Sequence, residues 1–254
     1  MSKCRCASLL SLGTYSEYTK RMIVASTASL FRGPTDNDGL KLLSTLRNEW
    51  GLGSKAEQNW REAGLHERPA DEFVEHIVQE QIVAEGVTRF EHTFTVPEGS
   101  DVPRVGVMFT VEAHFSHWRW YGRGPHENYP DRQSSALVAI HEGVFDELPY
   151  IVPQEFGLRM NCRWIELLSK TSSQRLHVEA EMGSEFHASV TWHTPQQLYA
   201  ARDVTELERS PVPVVCLDVA HRGLGTASCG PDVLPKYLIA PGEYRLAYTV
   251  RVEN

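Results

Sequence analysis

Apolar residues at every second position are the feature that most constrains what this chain can become. In "RVGVMFTVEAHF", Val105, Val107, Phe109, Val111, Ala113 and Phe115 make a long odd-numbered apolar face. The same period returns in "RFEHTFTV" with Phe90, Phe94 and Val96, and in "LHVEAEM" with Leu176, Val178, Ala180 and Met182. It recurs in "FHASVTW" with Phe186, Ala188, Val190 and Trp192, and in "YRLAYTVRV" with Tyr244, Leu246, Tyr248, Val250 and Val252. Successive side chains of a strand point to opposite faces, so each run predicts a strand buried on one side. Many such strands and few helices predict an all-β fold of stacked antiparallel sheets.

Two short helices interrupt the pattern. "GLKLLSTLRNEWG" from Gly39 places Leu42, Leu43, Leu46 and Trp50 near one face, with Asp36, Asn37 or Asp38 available as N-cap and Gly51 as the stop. In "HTPQQLYAA", Thr194 is placed to cap and Pro195 to take the first helical position. Turn-rich segments lie between the strands at 97–103, 122–132, 153–157, 223–232 and 240–243. Binding and catalytic groups concentrate on such loops.

At 254 residues the chain is long enough for one domain with a sizeable core. Residues 1–28 read as a flexible leader, with Lys3, Arg5, Lys20 and Arg21 against the lone Glu17, a faint likeness to an organellar transit peptide. Residues 29–254 read as the β-sandwich domain. The net charge of −8, with Lys and Arg scattered among acids, argues against nucleic acid as a partner. The longest apolar stretch, Met22 to Phe31, falls short of the roughly 20 residues a bilayer requires, which argues against a membrane. Five cysteines, Cys4, Cys6, Cys162, Cys216 and Cys229, make an odd number with no C-x-x-C pair, and a reducing, cytoplasmic location is the expectation.

The loops are rich in residues that could carry chemistry. A glycosidase places two carboxylates across the scissile bond, about 5 to 5.5 Å apart when it retains configuration. Asp36, Asp38, Glu127, Asp131 and Glu155 are available, yet each stands where Asp and Asn cap backbone groups and Glu pairs with Arg. His126 beside Glu127 suits an acid and base pair or a plain hydrogen bond to a carbonyl, and spacing leaves both open. "PTDNDG" at 34–39 lacks the oxygen spacing and closing Glu of a calcium loop, and helix capping explains it. No GxSxG, HExxH, P-loop or helix-opening GxGxxG occurs. Trp118, Trp120, Tyr121 and Tyr129 cluster around "WYGRGPHENYPDR" and could stack on sugar rings or fill the core.

Five stretches in this order carry a resemblance: "LFRGPTDNDG" (30–39), "WYGRGPHENYPDR" (120–132), "PYIVPQEFGLR" (149–159) with "RWIEL" (163–167), "HRGLGTASCGPD" (221–232) and "LIAPGEYRLAYTV" (238–250). The chain resembles the C-terminal small-chain domain of the β-galactosidases of glycoside hydrolase family 2, over roughly residues 29–254. That resemblance implies a galactose-mutarotase-like β-supersandwich that walls the galactoside pocket of a large catalytic chain or domain. It implies that the catalytic carboxylates, and the magnesium and sodium ligands, belong to other domains. No catalytic residue, metal ligand or cofactor is therefore expected here.

The resemblance makes His126, Glu127, Asn128, Glu155 and Cys229 candidates for facing the carbohydrate, and Arg32, Asp36, Asn37, Asp38 and Arg132 the structural motif. Gly122, Gly124 and Pro125 are expected to set the turn, with Glu127, Asn128 and Arg132 locking it by buried polar pairing. Two departures bear on function. Cys229 stands where some members bring a Trp to the sugar, and Phe156 stands where "PQENG" is usual. The alternatives are a freestanding aldose 1-epimerase-like enzyme drawing an acid and a base from His126, Glu127, Glu155 and His221, and a truncated carbohydrate-binding relic.

Overall fold

In the computed structural model, which describes residues 24–43 and 55–253, two antiparallel sheets face each other across one core. Strands are numbered here in chain order. The smaller sheet runs β1 (Val24–Ser29), β4 (Arg104–Thr110), β11 (Val214–His221), β10 (Phe186–Thr191), β7 (Arg159–Cys162). The larger runs β2 (Glu75–Ala84), β3 (Val87–Val96), β12 (Gly242–Glu253), β9 (Arg175–Ala180), β8 (Trp164–Ser169), β5 (Phe115–Gly124), β6 (Leu137–Val144). The α-helices among the described residues are α1 (Asp36–Gly39), α2 (Ala56–Ala63) and α3 (Pro195–Ala200).

The alternating residues supply the core. Val105, Val107, Val190, Val215 and Leu217 face inward from the smaller sheet, and Phe94, Ile165, Leu167, Val178, Leu246 and Val250 from the larger. Each such side chain withdrawn from water contributes about 1.5–3 kcal/mol. The all-β architecture of stacked antiparallel sheets with few helices is thus the one the period required.

The period did not show where strands end. The run Val105 to Phe115 is two strands in two sheets: β4 stops at Thr110, the chain turns with Phe115 N–H donating to Glu112 C=O at 3.1 Å, and β5 begins. Ala113, on the expected buried face, is exposed in that turn. Met182 lies past the end of β9 and is fully exposed.

The helix expected from Gly39 lies mostly outside the described residues, and the α-helix that is described comes before it. α1 opens at Asp36 with Thr35 as its N-cap, and a single 3₁₀ turn follows at Lys41–Leu43. Leu46, Trp50 and Gly51 lie outside the described residues. α3 is as expected: Gln197 N–H donates to Thr194 Oγ1 at 3.1 Å, the Gln197 side chain accepts from Thr194 N–H at 2.8 Å, and Pro195 leads the helix. α2 was not anticipated, although Ala56, Trp60 and the stop at Gly64 (φ 77°) spell a short amphipathic helix. β1 also begins before the boundary drawn at residue 29, pairing with β4 from Val24↔Thr110 to Ser29↔Gly106.

Candidate functional site

Four motif loops meet at one end of the sandwich. Residues 32–39 leave β1, 125–132 leave β5, 150–158 lead into β7 and 222–233 leave β11. Backbone groups stitch them together: Glu155 N–H donates to Gly33 C=O at 2.9 Å, Ala227 N–H to Asn37 C=O at 2.9 Å and Asn128 N–H to Leu158 C=O at 2.9 Å. Asp36 N–H donates to Gln154 Oε1 at 3.1 Å. Motifs scattered over some 200 positions of sequence thus become one surface and one buried polar layer.

Asp38 centres that layer. Arg32 donates to it through Nη1 and Nη2, both at 2.8 Å, and neither side chain has any exposure. Arg222 Nη1 stands 3.8 Å from the same carboxylate, while its Nε donates to Asp101 at 3.0 Å and its Nη2 to Asp232 at 2.7 Å. The Trp60 ring lies under both guanidinium groups, with centroid distances of 5.3 and 5.5 Å. Buried charges need pairing, and here carboxylates and an aromatic face supply it, although Arg32 Nε and Arg222 Nη1 find no hydrogen-bond acceptor among the described residues.

Next to it, Arg104 donates to Asp218 from Nε at 2.9 Å and from Nη2 at 2.5 Å. Glu155 is 4% exposed, and Arg104 Nη1, on a guanidinium whose Nε and Nη2 are engaged with Asp218, stands 3.9 Å away. Burial therefore outweighs the cations and pushes the Glu155 carboxyl up to about 7. His221 is buried and donates from Nδ1 to its neighbour's carbonyl, Arg222 O, at 3.0 Å; burial, with Arg32 and Arg104 nearby, pushes its pKa well down and keeps the ring neutral. Among the described residues its Nε2 and the buried Tyr129 hydroxyl have no hydrogen-bond partner, and the two rings lie 5.6 Å apart.

The carbohydrate-facing candidates separate by depth. His126 is exposed, with Nε2 3.1 Å from Ser135 Oγ, and Cys229 is exposed in a turn where Cys229 N–H and Gly230 N–H both donate to Thr226 C=O. Glu127 is half-buried and occupied: Gly157 N–H donates to Oε2 at 2.7 Å and the Tyr150 hydroxyl donates to Oε1. Asn128 is fully buried, donating to His126 C=O and accepting from Met160 N–H at 3.1 Å. Glu155 faces inward, towards Arg104.

Of the three residues expected to lock the 120–132 segment, Glu127 and Asn128 make the polar contacts above, while Arg132 makes no buried pair. Arg132 is partly exposed and donates once, to Gly225 C=O at 2.5 Å. Asp131 does more: Leu224 N–H and Gly225 N–H donate to its two oxygens at 2.9 and 2.8 Å, holding the 222–233 loop where Gly225 takes φ 71°. Both partners lie more than 90 positions away, so no local spacing marked Asp131 for this role. Gly122 and Gly124 belong to β5 rather than to a turn, and the bond from Gly124 to Pro125 is cis. Trp118, Trp120 and Tyr129 are buried; Tyr121 alone of the four aromatics reaches solvent. Phe156 is buried too, lining a small cavity with Arg104, Glu155, Ser189, Thr191, His193 and Cys216.

Among the described residues no three His, Cys, Asp or Glu side chains converge as metal ligands. No helix among them is long and apolar enough to cross a membrane.

Residues 10–251 match the family described as "Beta galactosidase small chain", reaching back into the segment that the sequence set apart as a leader. A β-galactosidase of Arthrobacter sp. (strain B7) is 36% identical over 154 residues, covering 59% of this chain and 15% of its own length. The β-galactosidase of Vibrio cholerae O395 is 35% identical over 155 residues, covering 60% and 14%. That of Aeromonas hydrophila is 29% identical over 246 residues, covering 84% and 23%. The chain thus spans less than a quarter of the length of these relatives. A galactose mutarotase-like protein from Lactobacillus casei ATCC 334 aligns over 70% of this chain and 69% of its own at 11% identity, with a TM-score of 0.35. From the match across residues 10–251, this chain belongs to the beta-galactosidase small chain family.

Proposed function

We propose that the chain is the non-catalytic module of a β-galactosidase and takes part in hydrolysis of terminal β-D-galactosides together with a cytoplasmic partner chain that carries a (β/α)₈ barrel. The observation that carries this reading is the family match over residues 10–251, set beside β-galactosidase relatives of which the chain spans 14–23%. A barrel takes about 250 residues of its own. The carboxylates at the motif end support the same reading, because Asp38, Asp131, Asp218 and Glu127 are all engaged by Arg, backbone N–H or Tyr donors rather than left to face a sugar.

On this reading His126 and Cys229, the exposed members of the motif end, stand nearest the partner's pocket. Glu127, Asn128 and Glu155 shape the loops, and any magnesium or sodium is held by the partner. The test is hydrolysis of o-nitrophenyl β-galactoside by the chain alone, and by a mixture with the Arthrobacter sp. enzyme cut back before its matched segment. Turnover is expected only in the mixture, and robust turnover by the chain alone overturns the reading. Polarimetry of fresh α-galactose tests the epimerase alternative; no acceleration of mutarotation is expected, since Glu155 and His221 are both buried.

A further inference from the structure

β2 and β3 place two histidines side by side on the face of the larger sheet that looks into the sandwich. His76 pairs with Phe94 in the β2–β3 register, Tyr248 of β12 pairs with Phe90, and His92 lies between these two rows. The rings run nearly parallel. His76 stacks on Phe94 at 4.5 Å and 5°, His76 and His92 stand 5.3 Å and 13° apart, and His92 and Tyr248 stand 5.7 Å and 15° apart. Phe90 flanks Tyr248 at 5.5 Å. Such packing leaves the polar edges of the rings little freedom to turn.

Those edges form one chain. His76 Nε2 is 3.0 Å from His92 Nδ1, His92 Nε2 is 3.2 Å from the Tyr248 hydroxyl, and that hydroxyl is hydrogen-bonded to the Ser26 side chain on β1. His76 is half-buried at the rim, His92 and Tyr248 are buried, and Ser26 belongs to the smaller sheet. The four side chains therefore cross the sandwich from the β2 edge to the β1 edge. A neutral imidazole has one N–H and one bare nitrogen, and a hydroxyl both donates and accepts. In the neutral chain every pair is satisfied whichever way the bonds run, from Ser26 out to His76 or from His76 in to Ser26.

We propose that these four side chains are a pH-set relay, in which a proton taken up by His76 fixes the direction of all three hydrogen bonds and makes Ser26 an acceptor. The balance is one proton in from solvent, with the single hydrogen of His92 left on Nε2. With N–H on both nitrogens, His76 Nε2 only donates. His92 Nδ1 is then bare, its Nε2–H donates to Tyr248 Oη, and the Tyr248 hydroxyl donates onward to Ser26. The pair takes up one proton and not two: burial pushes His92 down to about 3, and a charge on His76 pushes the same way. Burial also lowers His76, opposed by Asp71, so the switch lies below the ordinary histidine value of 6.5. Besides His92, the titratable groups around His76 among the described residues are Asp71 and Glu72 on the 3₁₀ turn Ala70–Glu72, Glu80 on its own face of β2, and Tyr244 and Tyr248 on β12. β1, Val24–Ser29, carries none. The proposal does not depend on the galactosidase reading.

The test is histidine ¹⁵N nuclear magnetic resonance on the full chain from about pH 8 to about pH 4, with ring signals assigned through each residue's Cβ. His76 should gain hydrogen on both nitrogens, while His92 stays neutral and holds its hydrogen on Nε2 wherever His76 is charged. A His92 that carries Nδ1–H beside a charged His76, or that takes up its own proton together with it, overturns the proposal, as does a His76 that does not titrate. The far end gives a second readout. Tyr248→Phe and Ser26→Ala leave both histidines in place but strand the inward-running chain without its acceptor. The His76 midpoint should fall by about 0.5–1 pH unit in the first and by less in the second. Ser26 is only half-buried, so Ser26→Ala reads the relay even where Tyr248→Phe fails to fold. A His76 midpoint unmoved in folded Ser26→Ala overturns the relay, because Ser26 touches neither histidine.

Discussion

Arg32 and Asp38 form a fully buried bidentate pair, with both N–H···O distances at 2.8 Å, and Asp38 Oδ2 also accepts from the N–H and the hydroxyl of Thr35 at 2.8 Å each. The ion pair and the start of α1 are therefore one structure. Asp38→Asn should destabilise the chain by about 3–5 kcal/mol, because Arg32 loses its only bidentate carboxylate partner inside the protein. The measurement is a urea midpoint that falls with an unchanged slope. Arg32→Lys should not spare stability, since an ammonium cannot donate two parallel bonds to one carboxylate.

Replacing Asp131 should cost more stability than replacing its neighbour Arg132. Asp131→Ala frees the Leu224 and Gly225 amides, so the 222–233 loop should exchange its amide hydrogens much faster, with a stability loss of about 2–3 kcal/mol. Arg132→Ala removes one partly exposed hydrogen bond and should cost about 1 kcal/mol. An Arg132 variant less stable than the Asp131 variant would contradict the assignment.

Glu155 should make the chain less stable as pH rises from acid to neutral. Its carboxyl titrates near 7 in the folded chain against an ordinary value of 4.5, so the folded state keeps the proton longer. The contribution is full below about 4.5, declines as pH rises and levels off above about 7, amounting to a few kcal/mol. Buried His92 and His187, pushed down to about 3 and about 4, act the other way and lose stability as pH falls below 6.5. The clean observable is the difference between wild type and Glu155→Gln at each pH: the variant should gain on the wild type between pH 5 and pH 7, and parallel curves would refute the shift.

Gly122→Ala should destabilise by about 1–3 kcal/mol through overpacking, because a Cβ built there would lie 2.7 Å from Cys162 Sγ and 2.9 Å from its Cα. Gly143→Ala, with nothing within 4 Å of its Cβ, is the control and should be nearly silent. Thermal melts of the two variants compare them directly.

Thiol labelling of the native chain followed by peptide mapping should find Cys229 modified, with Cys162 and Cys216 protected until unfolding. Both protected thiols are buried, and burial raises them to about 12 and about 11, which removes the reactive thiolate.

The two-residue period was enough, by itself, to determine the fold class and most of the core, because a strand buried on one face must alternate. Thr194 and Pro195 were enough to place α3, because capping is local chemistry. The motifs marked the loops that meet at one end of the sandwich. Periodicity carries no information about which sheet a strand joins, so only tertiary structure divided Val105–Phe115 between two sheets. Depth was decided there too: Glu155 and Asn128 share loop sequences with exposed neighbours, yet they sit inside because loops far apart in the chain close over them. The same packing made Asp131, rather than Arg132, the lock on Gly225. Burial and pairing are properties of what surrounds a side chain, and those surroundings come from segments up to two hundred residues away.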